Sequence, residues 1–155
     1  MPELTFGFSP CPNDTFAFHA WVHGLVDSPL RVRPVLLDIE ELNRRATNGE
    51  FALTKLSVGA MAAVGTRYRP LRSGAALGHG VGPLVVARTP MSLPEAVQGR
   101  VAIPGRHTTA YALLRAAAPP GGHGGGDPLG PHPECGARRR CGRRADHPRE
   151  PLHVR

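Results

Sequence analysis

The chain has 155 residues, a mass of 16.5 kDa and a formal net charge of +7, which is room for one domain, or one and a piece of another. No run nears the roughly eighteen apolar residues of a membrane span. Three cysteines, Cys11, Cys135 and Cys141, form neither an even secreted set nor a C-x-x-C pair, which argues against a disulfide scaffold.

Leu4-Thr5-Phe6-Gly7-Phe8-Ser9 reads as a short apolar strand, closed by the two prolines of Ser9-Pro10-Cys11-Pro12. Asn13 or Asp14 then caps a helix from Thr15 to about Val26, whose apolar face is Phe16, Ala20, Val22 and Leu25. Val32 to Leu37 is the next strand and Asp38 the next cap. Ile39 to Asn48 follows as a helix, with Leu42 and Ala46 on one side and Gly49 as its stop. Glu40 and Glu41 stand in its first turn, where the helix dipole favours acids. Phe51 to Ser57 gives a third strand and Val58 to Val64 a small-residue helix. Leu71 to Leu77 and Pro83 to Ala87 are further extended segments around the loop Gly78-His79-Gly80-Val81-Gly82. A short helix from Ser92 to Val97 and a strand from Arg100 to Ile103 lead through Pro104-Gly105-Arg106-His107 to a helix from Thr108 to about Ala118. Such alternation predicts an α/β domain with a mainly parallel sheet.

Three loops each follow a strand and open onto a helix, so a parallel sheet gathers them at the carboxyl ends of its strands, where open α/β folds bind ligands. Ser9 to Thr15 offers hydroxyl, amide and helix N-terminal groups to a polar ligand, and serves equally as a cap and a tight proline turn. Thr54-Lys55-Leu56-Ser57 puts the single lysine of the chain between hydroxyls, either to meet a carboxylate or as a solvated surface charge. Gly105 to Thr109 sets two hydroxyls and free N–H groups at a helix N-terminus, an anion site or a plain threonine cap.

Other patterns are weaker. The glycine loop leads into a strand, so neither the dinucleotide fingerprint nor the P-loop fits it. His19 and His23 have the i, i+4 spacing of metal ligands but no third ligand beside them, and His132, Cys135, Cys141 and His147 are too irregularly spaced for a zinc site. No metal is therefore expected. Arg138-Arg139-Arg140 and Arg143-Arg144 would attract phosphate nonspecifically. No aromatic interleaves them, so specific nucleic-acid binding is not expected.

Four motifs in order carry a resemblance. Ser-Pro-Cys-Pro-Asn-Asp-Thr-Phe at 9–16, Leu-Thr-Lys-Leu-Ser at 53–57, Leu-Gly-His-Gly-Val-Gly-Pro-Leu-Val-Val-Ala at 77–87 and Pro-Gly-Arg-His-Thr-Thr-Ala-Tyr at 104–111 together resemble the 1,4-dihydroxy-6-naphthoate synthases of the futalosine route to menaquinone. The match runs from about Leu4 to Ala116, less than half of a normal member. The resemblance implies a type II, periplasmic-binding-protein-like fold of two α/β lobes with the substrate in the cleft between them. It implies conversion of cyclic dehypoxanthinylfutalosine to the dihydroxynaphthoate, a carbon–carbon lyase reaction without a cofactor. Carried over by position, Thr54, Lys55, Leu56 and Ser57 line the cleft from the first lobe, Thr108 and Thr109 meet the substrate from the second, and Ser9, Asn13 and Asp14 belong to the same rim. The family's base, a second-lobe histidine, has no counterpart in the matched part, so the catalytic base of this chain is unassigned.

Residues 1–98 are then most of the first lobe, 99–116 the opening strand and helix of the second, and 117–155 a Gly/Pro/Arg-rich tail. Residues 1–115 hold 12 basic against 8 acidic side chains and residues 116–155 hold 7 against 4, so the tail is about twice as basic per residue. With 8 Gly, 7 Pro and no aromatic residue, the tail is expected to be disordered. Its vocabulary is that of GC-rich codons read out of phase, so a frameshift and an inactive, truncated chain are expected. Glu3 stands where a secretory signal has Lys or Arg, which points to the cytoplasm; the resemblance implies a small-molecule substrate as partner, and no membrane partner is expected. Two other readings share the fold: a non-catalytic solute-binding protein and a chorismate-dehydratase-type enzyme of the same pathway.

Overall fold

The computed structural model describes residues 2–118. The expectations about the Gly/Pro/Arg-rich tail, including a zinc site or disorder, lie almost wholly outside the described residues.

The organising element is strand β1 (Glu3–Phe8), which pairs in parallel along its whole length with β2 (Arg31–Leu36), from Glu3 opposite Arg31 to Phe8 opposite Leu36. On its other side it pairs with the two-residue strand β3 (Leu53–Thr54), giving the order β2-β1-β3. Pro34 sits in β2, where an edge strand tolerates the missing N–H. The third strand expected over 51–57 is therefore short. Lys55 still donates its N–H to the Gly7 carbonyl at 2.7 Å, but Ser57 turns its N–H to the side chain of Asn43.

Alternate residues of β1 face opposite sides of the sheet. Phe6 and Phe8 point to helix α1 (Pro12–Val22), where Phe18 lies 4.7 Å from the Phe6 ring centroid at 78° and Trp21 lies 5.7 Å away. Gly7 points to helix α2 (Ile39–Thr47). A Cβ on Gly7 would lie 2.9 Å from Leu42 Cδ2 and 3.1 Å from Thr54 Oγ1, so glycine here sets how closely α2 approaches the sheet. Leu42 and Ala46 fill that interface with no exposure.

Helix α1 differs from its expectation in extent and in face. It begins at Pro12, whose fixed φ suits a first helical position, and Cys11 occupies the cap position in place of Asn13 or Asp14. It ends before Gly24, whose φ is +66°. Phe16 and Leu25, expected on the apolar face, are 88 % and 68 % exposed. The aromatic faces of Phe6 and Phe8 select Phe18 and Trp21 instead, and no pattern within the helix encodes that choice.

Helix α2 matches its expectation: Asp38 accepts the Glu40 N–H at 2.9 Å as its cap. After β3, a 3-10 turn (Val58–Ala60), the short helix α3 (Met61–Val64) and another 3-10 turn (Gly65–Arg67) replace the single helix expected over 58–64. Tyr68 then pins the chain to Phe51, donating to its carbonyl at 2.8 Å. Residues 71–77 and 83–87 form no strands. Their aliphatic pattern is that of strands, but no described strand lies alongside to take their N–H and C=O groups. Helix α4 (Leu93–Gln98) opens with a capping box between Ser92 and Glu95, and helix α5 (Thr109–Ala117) is capped by Thr108. The strand expected over 100–103 is reduced to a bridge at Ile103. Among the described residues no helix is long and apolar enough to cross a membrane.

Candidate functional site

The loops after β1 and β3 and the start of α5 do converge. Parallel pairing of Gly7 with Thr54 puts the chain after each strand at one edge of the sheet. There Asp14, in the first turn of α1 and 5 % exposed, accepts from the Ser9 N–H at 3.1 Å and the Ser9 hydroxyl at 2.7 Å through Oδ2. Its other oxygen, Oδ1, accepts from Lys55 Nζ at 3.0 Å. Ser57 lies two residues on, and its N–H donates to Asn43 Oδ1 at 3.0 Å. That bond fixes the amide orientation of Asn43, so Asn43 Nδ2 donates to Ser57 Oγ, also at 3.0 Å. The next turn brings the Gly59 N–H within 3.0 Å of Thr109 Oγ1, to which it donates.

The direction of these bonds gives the site its polarity. Ser57 Oγ and Thr109 Oγ1 are both acceptors from the protein, and within the described residues neither hydroxyl donates to a protein oxygen. Each therefore keeps a proton for a ligand. Among the described residues Lys55 gives one of its three N–H bonds, to Asp14, and keeps two. The three groups offer hydrogen-bond donors, so the complementary ligand carries acceptors, and beside an ammonium an anionic acceptor such as a carboxylate fits best.

The other candidate residues sit as follows. Thr108 is 4 % exposed, and its hydroxyl donates to the Gly105 carbonyl at 2.7 Å and accepts from the Tyr111 N–H at 3.3 Å, a capping role. Thr54 Oγ1 donates to the carbonyl of Lys55. Leu56 is half-buried and Asn13 is exposed on α1. An open groove of about 800 Å³ reaches the Thr54-Lys55-Leu56 segment, and its walls are largely aromatic and aliphatic: Phe18, Trp21, Phe51, Met61 and Tyr68.

Two neighbours of the candidate site were not singled out by the sequence. Asn43 is fully buried between Leu42 and Ala46 on the apolar stripe of α2, and a polar side chain on such a stripe has to find a partner; that was the available signal. Glu40 reaches the loop before α5, accepting from the N–H of Arg106 at 3.0 Å and of His107 at 3.1 Å, with His107 Nδ1 at 2.7 Å. A Cβ on Gly105 would overlap this carboxylate, and Gly105 adopts φ +150°, so the contact depends on glycine. No local pattern signals a bond spanning that much sequence.

The His19 and His23 rings lie with centroids 4.4 Å apart, tilted by 46°, and among the described residues no group of three His, Cys, Asp or Glu side chains is placed to hold a metal. Away from these contacts, Glu41 on α2 is bonded to Arg44 and Arg45. Hydrogen bonds from the Arg44 guanidinium and then the Arg45 guanidinium hold its carboxyl down at about 2, on the solvent side of α2.

A sequence model of the family described as menaquinone biosynthesis matches residues 4–123. A 1,4-dihydroxy-6-naphthoate synthase of Thermus thermophilus is 62 % identical over 114 residues, covering 74 % of this chain and 41 % of that protein. A Streptomyces coelicolor protein of the same name is 39 % identical over 125 residues, covering 78 % of this chain and 43 % of that protein. The crystal structure of a protein from Archaeoglobus fulgidus superposes with a TM-score of 0.70 at 42 % identity, covering 75 % of this chain and 43 % of the other. The chain thus spans less than half the length of the relatives it matches.

Proposed function

Because the chain belongs to the menaquinone-biosynthesis family over residues 4–123, we propose that it serves the formation of 1,4-dihydroxy-6-naphthoate from cyclic dehypoxanthinylfutalosine, as a cytoplasmic carbon–carbon lyase. The observation that carries the reading is the donor polarity of the site: Lys55 Nζ, Ser57 Oγ and Thr109 Oγ1 all keep protons for a ligand. The groove beside Lys55 supports it, since an aromatic carboxylate needs an apolar wall for its ring and a cation for its charge.

The reaction breaks a carbon–carbon bond, releases the sugar part and leaves an aromatic ring. Ser57 and Thr109 donate to substrate oxygens and Lys55 takes the carboxylate, so the reacting carbon is held in one orientation. A base must also move protons. In the proposed two-lobe arrangement that base belongs to the second lobe, and the residues named here bind and orient. Residues 1–98 would supply one wall of the cleft and 99–116 the start of the other.

Titrating the full chain with 1,4-dihydroxy-6-naphthoate at two ionic strengths tests the reading. Saturable binding is expected, and Lys55→Ala should weaken it and remove its salt dependence, because the screened attraction is gone. Thr109→Ala should weaken it while leaving the salt dependence intact. Absence of saturable binding, or binding unchanged by both substitutions, overturns it.

A further inference from the structure

We propose that Asp14 is a positioning residue that aims the ammonium of Lys55 into the ligand site, and that it makes no contact with substrate itself. The inference deepens the carboxylate-binding reading and rests on it for the role of Lys55.

Both oxygens of the Asp14 carboxylate are spent inside the protein. Oδ2 holds the N–H and the hydroxyl of Ser9, and Oδ1 holds Lys55 Nζ. Its side chain is 7 % exposed against 21 % for Lys55, so the lysine is the member of the pair that a ligand reaches. A substrate carboxylate would also be repelled by Asp14 and drawn to Lys55. An ammonium on a flexible four-carbon stem has no direction of its own. With one N–H held by Asp14, the stem is fixed and the two remaining N–H bonds point where a ligand can take them.

Asp14 is fixed in turn. It stands in the first turn of α1, where the helix dipole favours an acid, and Ser9 locks its carboxylate from the end of β1. Lys55 is tied to the same strand by its backbone bond to Gly7. Helix α1, the loop after β1 and the loop after β3 thus meet in a single carboxylate, and Lys55 itself lines the apolar groove.

Lys55 is the only lysine in the sequence, so the full chain labelled with 15N-lysine and 13C-aspartate gives one ammonium signal and no assignment problem. A slowly exchanging ammonium with a scalar coupling from Lys55 Nζ across the hydrogen bond to the Asp14 carboxyl carbon is expected in the unmodified chain. Its absence overturns the proposal without need of any variant. Asp14→Asn should abolish the signal and weaken 1,4-dihydroxy-6-naphthoate binding by about tenfold, while Ser9→Ala keeps the signal. The double variant Asp14→Asn/Lys55→Ala should bind no more weakly than Lys55→Ala alone, because Asp14 acts only through the lysine. An unchanged signal in Asp14→Asn, or additive losses in the double variant, overturns the positioning role. If the chain does not bind 1,4-dihydroxy-6-naphthoate, the substrate reading fails, and the ammonium signal still decides what Asp14 does.

Discussion

Residues 3–64 and residues 69–91 are both rich in aliphatic side chains, and the structure treats them in opposite ways. In the first stretch Phe6, Phe8, Leu42, Ala46, Ala60 and Val64 are buried, β1 is paired along one edge with β2 and at Phe6 and Gly7 with β3, and the buried polar groups Asp14 and Asn43 have partners. In the second, Leu77, Leu84 and Val86 are each at least 80 % exposed, and no strand or helix forms. Hydrophobicity alone therefore does not order this chain. An apolar segment becomes structure where a neighbour supplies both a face to cover and backbone groups to pair.

The sharpest way to break this comparison is to truncate one leucine in each region. Leu42→Ala removes a fully buried side chain from between α2 and the sheet and should cost about 2–5 kcal/mol in urea unfolding. Leu84→Ala should stay within about 0.5 kcal/mol of the unmodified chain. Equal losses would mean that residues 69–91 pack in solution.

Gly7→Ala probes the same interface from the opposite direction. The added methyl would press on Leu42, Thr54 and Phe51, and overpacking of this kind costs about 1–3 kcal/mol. A stability equal to that of the unmodified chain would show that α2 can retreat from β1. In the exposed region, Gly82→Ala meets open space, and its unfolding midpoint should not fall.

Asp38→Ala removes the cap of α2, with an expected loss of about 1 kcal/mol in the same unfolding experiment. The smallest effect belongs to Glu41, whose carboxyl is lowered to about 2 by its two arginines. A lowered folded-state value means stability that is present above the unfolded carboxyl range near 4.3 and lost as pH falls toward 2. The pair is solvent-exposed, so Glu41→Gln should cost below about 1 kcal/mol at pH 7. That difference should vanish between about pH 4 and pH 2. A difference that persists at pH 2 would assign the effect to packing rather than charge.

What was legible in the sequence is what is decided locally. The strand at 4–9, the Asp38 cap with its helix, and the threonine at the start of α5 follow from patterns a few residues long. The face of α1 was not legible, because Phe16 and Phe18 are equivalent until Phe6 and Phe8 are placed beneath one of them. The strands expected at 71–77 and 83–87 show the converse, since their pattern is correct for strands and their partner is absent from the described residues. The loops after β1 and β3 follow from β-loop-α order, whereas the loop before α5 was expected after a strand that is only a bridge at Ile103. The direction of each hydrogen bond could not be expected, and it turns on Asn43 and Gly59, which no motif marked.

The Tyr68 bonds to Phe51 hold the chain just before residues 69–91, and Val97 is buried in α4 just after them. Segments held in that way obey the statistics of loop closure, where the entropic cost rises only with the logarithm of length, about 0.6 kcal/mol for each doubling. Between Gly80 and Val81 the chain can therefore lengthen by several residues at little cost to folding, whereas one residue inserted between Phe6 and Gly7 would reverse which faces of β1 meet α1 and α2. The molecule is strict about register in its sheet and permissive about contour length in the span beside it.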